Sequence, residues 1–255
     1  AFGEKISILT GSAGSGKTMA LRNMLDQFDK KGISYRCMAP TGKAAKRMHE
    51  STGREASTIH KGLGRDGLKP PRSIQIETDN EFKALKEDVI IIDESSMLDM
   101  RLAERVFSNT PDSSRIVLVG DPSQLPAVGA GSVLHDLIES DRVPTTKLTK
   151  VFRQAESSLL VVNANRIRKG IEPYWTKEDA EADLGHEVKD DWEFVETPGN
   201  DGSKALQQIR TLSQNLPKER GLEPEEILIT NGRKKGSAGV FAINRALQKD
   251  RNPDG

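Results

Sequence analysis

The sequence predicts an α/β protein: a parallel β-sheet flanked by helices, followed by a second, partial unit of the same kind. Three observations carry this. Short apolar runs rich in β-branched residues recur along the chain, and they are continuous rather than alternating, as strands covered on both faces must be. Helical patterns lie between them. A glycine-rich turn joins the first run to the first helical pattern. Strand–helix–strand alternation of this kind leaves the ligand site at the carboxyl ends of the strands.

The apolar runs are 6–10 (ISILT), 33–39 (ISYRCMA), 89–93 (VIIID) and 115–120 (RIVLVG). After the first, Leu21, Met24, Leu25 and Phe28 recur at i, i+3, i+4 and i+7, and Gly32 follows as a stop signal. After the second, Thr41 can cap a helix that carries Ala44, Ala45 and Met48 on one stripe. Residues 62–80 break the rhythm: Gly and Pro turns surround an alternating SIQIET, which reads as a small β insertion. The rhythm restarts after about residue 147. Residues 157–170 form a helical pattern ended by Gly170, 192–196 (WEFVE) and 226–230 (EILIT) read as strands, and 240–248 (VFAINRALQ) reads as a helix. The expected division is a first domain over 1–147 and part of a second over 148–255. The stretch 178–193 holds eight acidic residues and one lysine, and reads as a solvated linker.

Composition bounds the function. The chain has 255 residues with 38 Lys+Arg against 38 Asp+Glu, so its formal net charge is zero. A chain this long buries a core without disulfides or structural metal. Its single cysteine, Cys37, excludes a disulfide framework and reads as a small buried hydrophobe. No apolar run is long enough for a transmembrane helix, and the first residues lack the apolar stretch of a signal peptide. The expectation is a soluble, cytoplasmic protein. Zero net charge taken alone argues against nucleic acid, but the charges are uneven. Residues 42–72 hold eight Lys/Arg against three acids, and they follow the second strand's carboxyl end. Backbone phosphates need only cations and hydroxyl or amide donors at intervals. Most of these charges, including Lys46, Arg47 and Arg54, read as a solvated helix face.

Residues 11–18, GSAGSGKT, match the phosphate-loop pattern G-x-x-x-x-G-K-[ST] in full, between a strand and a helix. Gly11, Gly14 and Gly16 let the backbone of Gly11, Ser12, Ala13, Gly14, Ser15 and Gly16 fold tightly, so that its N–H groups face a phosphate chain. Lys17 brings positive charge to the outer phosphates, and Thr18 offers a hydroxyl to Mg²⁺. The implied cofactors are ATP and Mg²⁺. VIIIDESSMLD (89–99) ends a buried strand on adjacent acids. Asp93 suits a metal ligand and Glu94 the polarisation of an attacking water. RIVLVGDPSQLPAVGAGS (115–132) is another buried strand with a polar exit, where Gln124 can meet the γ-phosphate or its water.

Taken together, GSAGSGKT, APTGKAAKRM (39–48), STIHKGLG (57–64), VIIIDESSMLD, VLVGDPSQLPAVGAG (117–131) and LTKVFRQ (148–154) resemble, in order and spacing, the RecD-like DNA helicases of superfamily 1. The resemblance covers nearly the whole chain and thins between about 170 and 225. It implies two RecA-like domains, a P-loop ATPase followed by a partial partner, with ATP between them, single-stranded DNA across their tops and 5′-to-3′ movement. It implies that Arg153 reaches the γ-phosphate from the second domain, where a guanidinium stabilises developing charge. It also implies that Thr41, Lys43, Thr58 and His60 touch the DNA strand, and that the insertion at 62–80 is a pin meeting a DNA fork. A monomer is expected, acting alone or in a repair or recombination complex.

Three departures stand beside the resemblance. Ten residues precede Gly11, leaving no room for the family's adenine-contacting glutamine helix. Asn231 and Gly232 replace a proline-containing pattern. The chain ends before the inserted barrel and the last two motifs, which suggests a segment of a helicase. Two other readings remain open: the helicase portion of a conjugative relaxase, and a nucleotide-gated DNA-binding module without productive unwinding.

Overall fold

In the computed structural model, the described residues are 4–12, 14–64, 83–149, 157–197, 202–223 and 226–251. Six strands form one sheet: β1 (Ile6–Gly11), β2 (Tyr35–Ala39), β3 (Ala56–Thr58), β4 (Val89–Ile92), β5 (Arg115–Gly120) and β6 (Thr145–Leu148). Their order is β3-β2-β4-β5-β1-β6, and every pairing is parallel. The expected parallel α/β architecture is therefore present. The two edge strands, β3 and β6, were not anticipated from sequence. Each is short and carries polar residues, AST and TTKL, so neither shows the apolar run of a doubly covered strand.

The core follows from strand periodicity. Successive side chains leave a strand on opposite faces. Thus Ile8, Ile90, Ile92, Ile116 and Leu118 pack on one side of the sheet, while Leu9, Val89, Ile91, Val117 and Val119 pack on the other. Helix α1 (Lys17–Lys31) covers the second side with Leu21, Leu25 and Phe28, each almost fully buried. Burial of each such side chain contributes about 1.5–3 kcal/mol. Gly32 ends α1 in the left-handed region at φ 65°, its N–H returning to the carbonyls of Phe28 and Asp29. Helix α2 (Gly42–Thr52) starts at Thr41, whose hydroxyl accepts from the Ala44 N–H at 3.2 Å, and buries Ala44, Ala45 and Met48. Helices α3 (Ile59–Gly62), α4 (Met100–Ser108) and α5 (Val133–Glu139) place Ile59, Leu102, Val106, Val133 and Leu134 against the first side.

Two further helices follow, α6 (Leu159–Arg168) and α7 (Lys177–Leu184). Helix α7 corrects the linker reading of 178–193. The first half of the run, to Leu184, is helical because Thr176 caps it, accepting from the Asp179 N–H at 3.1 Å, while 185–193 is irregular. Glu178 and Asp179 then complement the positive helix start, and Ala180 and Val188 are buried. Counting charges missed the cap and the two apolar anchors.

The chain divides into two compact units, 1–191 and 192–255. The second contains α8 (Gly202–Arg220) and α9 (Val240–Arg251), which pack together. The expected helix at 240–248 is present. The expected strands at 192–196 and 226–230 are not: both segments are irregular. Leu228 is 76% exposed and Phe194 53%, and neither segment has a neighbouring strand among the described residues, so β-propensity alone had nothing to pair with. The β insertion expected at 62–80 lies almost entirely outside the described residues. Among the described residues, no helix is long and apolar enough to cross a membrane.

Candidate functional site

The sheet order sorts the loops at its carboxyl edge. Strands β4, β5 and β1 are neighbours, so the loops bearing Asp93 and Glu94, then Gln124, then the phosphate loop leave the sheet side by side. On the other half of the same edge, β2 leads into Thr41 and Lys43, and β3 leads into Thr58 and His60.

The phosphate loop needs its glycines. Gly14 and Gly16 sit at φ 75° and 88°, where a side chain is strained. A Cβ on Gly11 would collide with Ser15 Oγ and lie 2.8 Å from the Leu148 carbonyl oxygen. The Lys17 ammonium donates to the carbonyls of Gly11, at 2.6 Å, and Ser12, at 3.0 Å. It is thus held over the loop that would cradle phosphates. Ser15 Oγ is buried and finds no hydrogen-bond partner among the described residues. A buried hydroxyl without a partner is costly, which fits a site shaped for an oxygen-rich ligand. Ala13 lies outside the described residues.

Asp93 and Glu94 follow a strand buried at all four positions. The Asp93 N–H donates to the Met38 carbonyl at 3.0 Å, tying the turn to β2. Its carboxylate accepts from the Glu94 N–H at 2.9 Å. Burial pushes the Asp93 carboxyl above the usual carboxylate range, and the Glu94 charge adds to that push. The Glu94 N–H, Lys17 and Arg47 oppose it. Glu94 is in the left-handed region at φ 52°, a conformation that costs a non-glycine residue free energy and clusters at functional sites. Neither carboxylate caps a helix: Glu94 begins a short 3₁₀ turn (Ser95–Met97) through its backbone alone, and α4 is capped by Asp99, which accepts from the Leu102 N–H at 2.7 Å.

Gln124 is exposed on a turn built by Asp121. Its N–H donates to the Asp121 carbonyl at 3.0 Å, and Ser123 N–H donates to the Asp121 carboxylate at 3.0 Å. That carboxylate is buried and faces Arg168 of α6 at 3.9 Å.

These elements meet in one cleft of about 570 Å³, lined by Lys17, Thr18, Asp93, Glu94 and Gln124 and walled on one side by α2. The donor set suits Mg²⁺: one hydroxyl from Thr18 and one carboxylate from Asp93, with phosphates to complete the shell. Among the described residues no group of three or more His, Cys, Asp or Glu could hold a metal by itself, so Mg²⁺ here would depend on a nucleotide. Arg153 lies outside the described residues. Thr41 and Thr58 are helix caps, accepting from the N–H groups of Ala44 and Lys61 at 3.2 Å each. Their hydroxyl hydrogens can still donate to a phosphate. Lys43 and His60 are exposed. Sequence reasoning missed Asp121 and Arg47. Arg47 could have been found, since it shares a helical face with Ala44, Met48 and Ser51. Asp121 could not, because its partner lies 47 residues away.

Comparison with known proteins agrees with this geometry. The AAA domain family matches residues 1–187. An ATP-dependent RecD2 DNA helicase of Deinococcus radiodurans is 36% identical over 68% of this chain and 23% of its own length. The RecBCD enzyme subunit RecD of Mycolicibacterium smegmatis is 29% identical over 98% of this chain and 48% of its own length. The chain thus spans less than half the length of both relatives. A crystal structure of Bacteroides Pif1 bound to single-stranded DNA matches 82% of this chain and 53% of that one, with a TM-score of 0.50 and 24% identity, which supports the RecA-like P-loop fold.

Proposed function

We propose, from the chain's membership of the AAA domain family and its likeness to RecD-like superfamily 1 helicases, that it hydrolyses ATP to move 5′ to 3′ along single-stranded DNA. One observation carries the reading: Lys17, Thr18, Asp93, Glu94 and Gln124, drawn from three separate loops, line one cleft. Bound Mg²⁺, held by Thr18 and Asp93, would neutralise charge on the phosphates. Lys17 leaves the loop carbonyls for the outer phosphates. The Glu94 carboxylate accepts a proton from the attacking water. The bond from the γ-phosphorus to the bridging oxygen breaks, giving ADP and inorganic phosphate. Gln124 contacts that phosphate or its water without adding charge.

The rest of the reading extends from this cleft. Residues 148–255 form part of a second RecA-like domain that supplies Arg153, and opening and closing between the two domains drives stepping. DNA lies along the β2 and β3 half of the carboxyl edge, held through its backbone by Thr41, Lys43, Thr58 and His60, with the 62–80 insertion at the fork. The protein acts as a cytoplasmic monomer or within a repair or recombination complex.

Lys17→Ala decides the ATPase step: DNA-stimulated phosphate release should fall at least about 100-fold. A rate near wild type overturns the reading. Glu94→Gln should keep ATP·Mg²⁺ binding and slow hydrolysis by about 10²–10⁴-fold, the usual worth of a general base. Loss of binding instead would give Glu94 a structural role. Displacement of streptavidin from the 3′ end of a biotinylated strand, and not from the 5′ end, tests direction.

A further inference from the structure

Lys46, Arg47 and Arg54 look alike in sequence, and the structure parts them. Arg54 ties α1 to the end of α2 by donating to Asp29 at 2.7 Å and to Asp26. Lys46 is 77% exposed and 3.7 Å from Glu50, one turn on. Arg47 has no such tie: among the described residues, no hydrogen bond or ion pair holds its guanidinium. Yet it lines the nucleotide cleft with Lys17, Asp93 and Glu94, because Ala44, Arg47, Met48 and Ser51 form the face of α2 that closes that cleft. Its charge is felt at Asp93.

The charge arrangement around it matters. Two cations, Lys17 and Arg47, share the cleft with three carboxylates, Glu50, Asp93 and Glu94, before a triphosphate adds its own negative charge. Lys17 grips the loop carbonyls. Arg47 enters the same cleft from α2. A guanidinium is always charged, and its planar fork matches two phosphate oxygens at once. The same helix is capped by Thr41 and carries Lys43, about 9 Å and about 6 Å along its axis from Arg47, and Ala44, Ala45 and Met48 anchor it in the core.

We propose that Arg47 is a nucleotide-contacting residue whose guanidinium takes the phosphate oxygens of bound ATP, and that α2 thereby links the DNA-facing end at Thr41 and Lys43 to the nucleotide cleft. This rests on the ATPase reading above. Strand binding at one end of α2 sets where the guanidinium sits at its middle, so DNA tunes phosphate contact without touching the nucleotide.

The test uses the whole chain and a fluorescent N-methylanthraniloyl ATP, with and without single-stranded DNA. Arg47→Ala should weaken nucleotide binding about 10- to 100-fold, in the range of a lost charge-assisted hydrogen bond. It should also lower the stimulation of hydrolysis by DNA. Arg47→Lys should recover part of the binding, and Lys46→Ala should change neither. Arg47→Ala affinity within about twofold of wild type would overturn the contact. Weakened binding with undiminished DNA stimulation would overturn the link through α2. Lys17→Ala, run in parallel, separates this from the parent reading. If wild type binds nucleotide in a Lys17-dependent way and Arg47→Ala is silent, only the present inference falls. If Lys17→Ala is silent as well, both fall.

Discussion

The unit of residues 1–191 closes its core from both faces of a six-stranded sheet, whereas among the described residues of the unit 192–255 two helices pack together and bury Ile243 and little else that is apolar. In the first, each central strand contributes apolar side chains in both directions, and α1 and α2 cover one side while α3, α4 and α5 cover the other. In the second, the described apolar residues are mostly outside: Leu228, Phe241, Phe194 and Val195 are all more than 40% exposed. The site makes use of this difference. Catalytic groups must be held to within fractions of an ångström, and rigid strand ends do so better than loops on a thin support. Lys17, Asp93 and Glu94, the groups proposed for the ATPase step, follow strands β1 and β4, whose side chains are almost all buried.

The contrast is most easily broken at its strongest point. Phe28 is 1% exposed and pairs its ring with Tyr35 at 5.9 Å between centroids. Phe28→Ala should cost about 3–5 kcal/mol in urea unfolding, through lost burial and the cavity left behind. The matched truncation Ile243→Ala should cost about 2 kcal/mol or less, since a thinly packed site relaxes around the gap. Equal losses would mean that the second unit has a core as consequential as the first.

The same contrast explains what was legible in the sequence. Ile8, Leu9, Val89–Ile92 and Ile116–Val119 announced themselves because strands buried on both faces admit no polar alternation. Lys17, Thr18, Asp93, Glu94 and Gln124 were legible because their loops directly follow those strands. Residues 192–196 and 226–230 misled because apolar and β-branched content describes a strand only when a neighbour supplies the ladder. The acidic run misled in the opposite sense: Thr176 and Ala180 fix a helix that net charge conceals. Asp121 was silent for another reason. Its meaning comes from Arg168, and long-range pairing leaves no local pattern.

A smaller effect probes how the second unit holds together. Arg210 and Asp250 form a hydrogen-bonded ion pair between α8 and α9, with Arg210 at 46% exposure. The Asp250 side chain is 11% exposed, but the guanidinium stands half in solvent, so water and salt screen the pair and its contribution is small. Arg210→Ala should therefore lower stability only slightly, and 0.5 M salt should erase part of the difference by screening. A loss as large as that of Ile243→Ala would show that charge, rather than burial, closes this pair of helices.

The smallest expected effect is the most discriminating. Cys37 is the only thiol in the chain, and it lies on β2 in the core of the first unit at 2% exposure. Burial pushes its pKa up to about 12, with the Asp93 charge adding to that push. The reactive species is the thiolate, so two barriers protect it: lack of access and lack of ionisation. Alkylation at pH 8 should accordingly wait for opening of the first unit, with a rate that rises with urea as that unit unfolds. Phe28→Ala should accelerate labelling about tenfold for every 1.4 kcal/mol of stability lost. Ile243→Ala and Arg210→Ala should leave the rate unchanged, because Cys37 packs among Leu9, Leu25, Phe28 and Ile91 of its own unit. If either accelerates Cys37 labelling, the two units unfold together, and the separation drawn between them has no thermodynamic meaning.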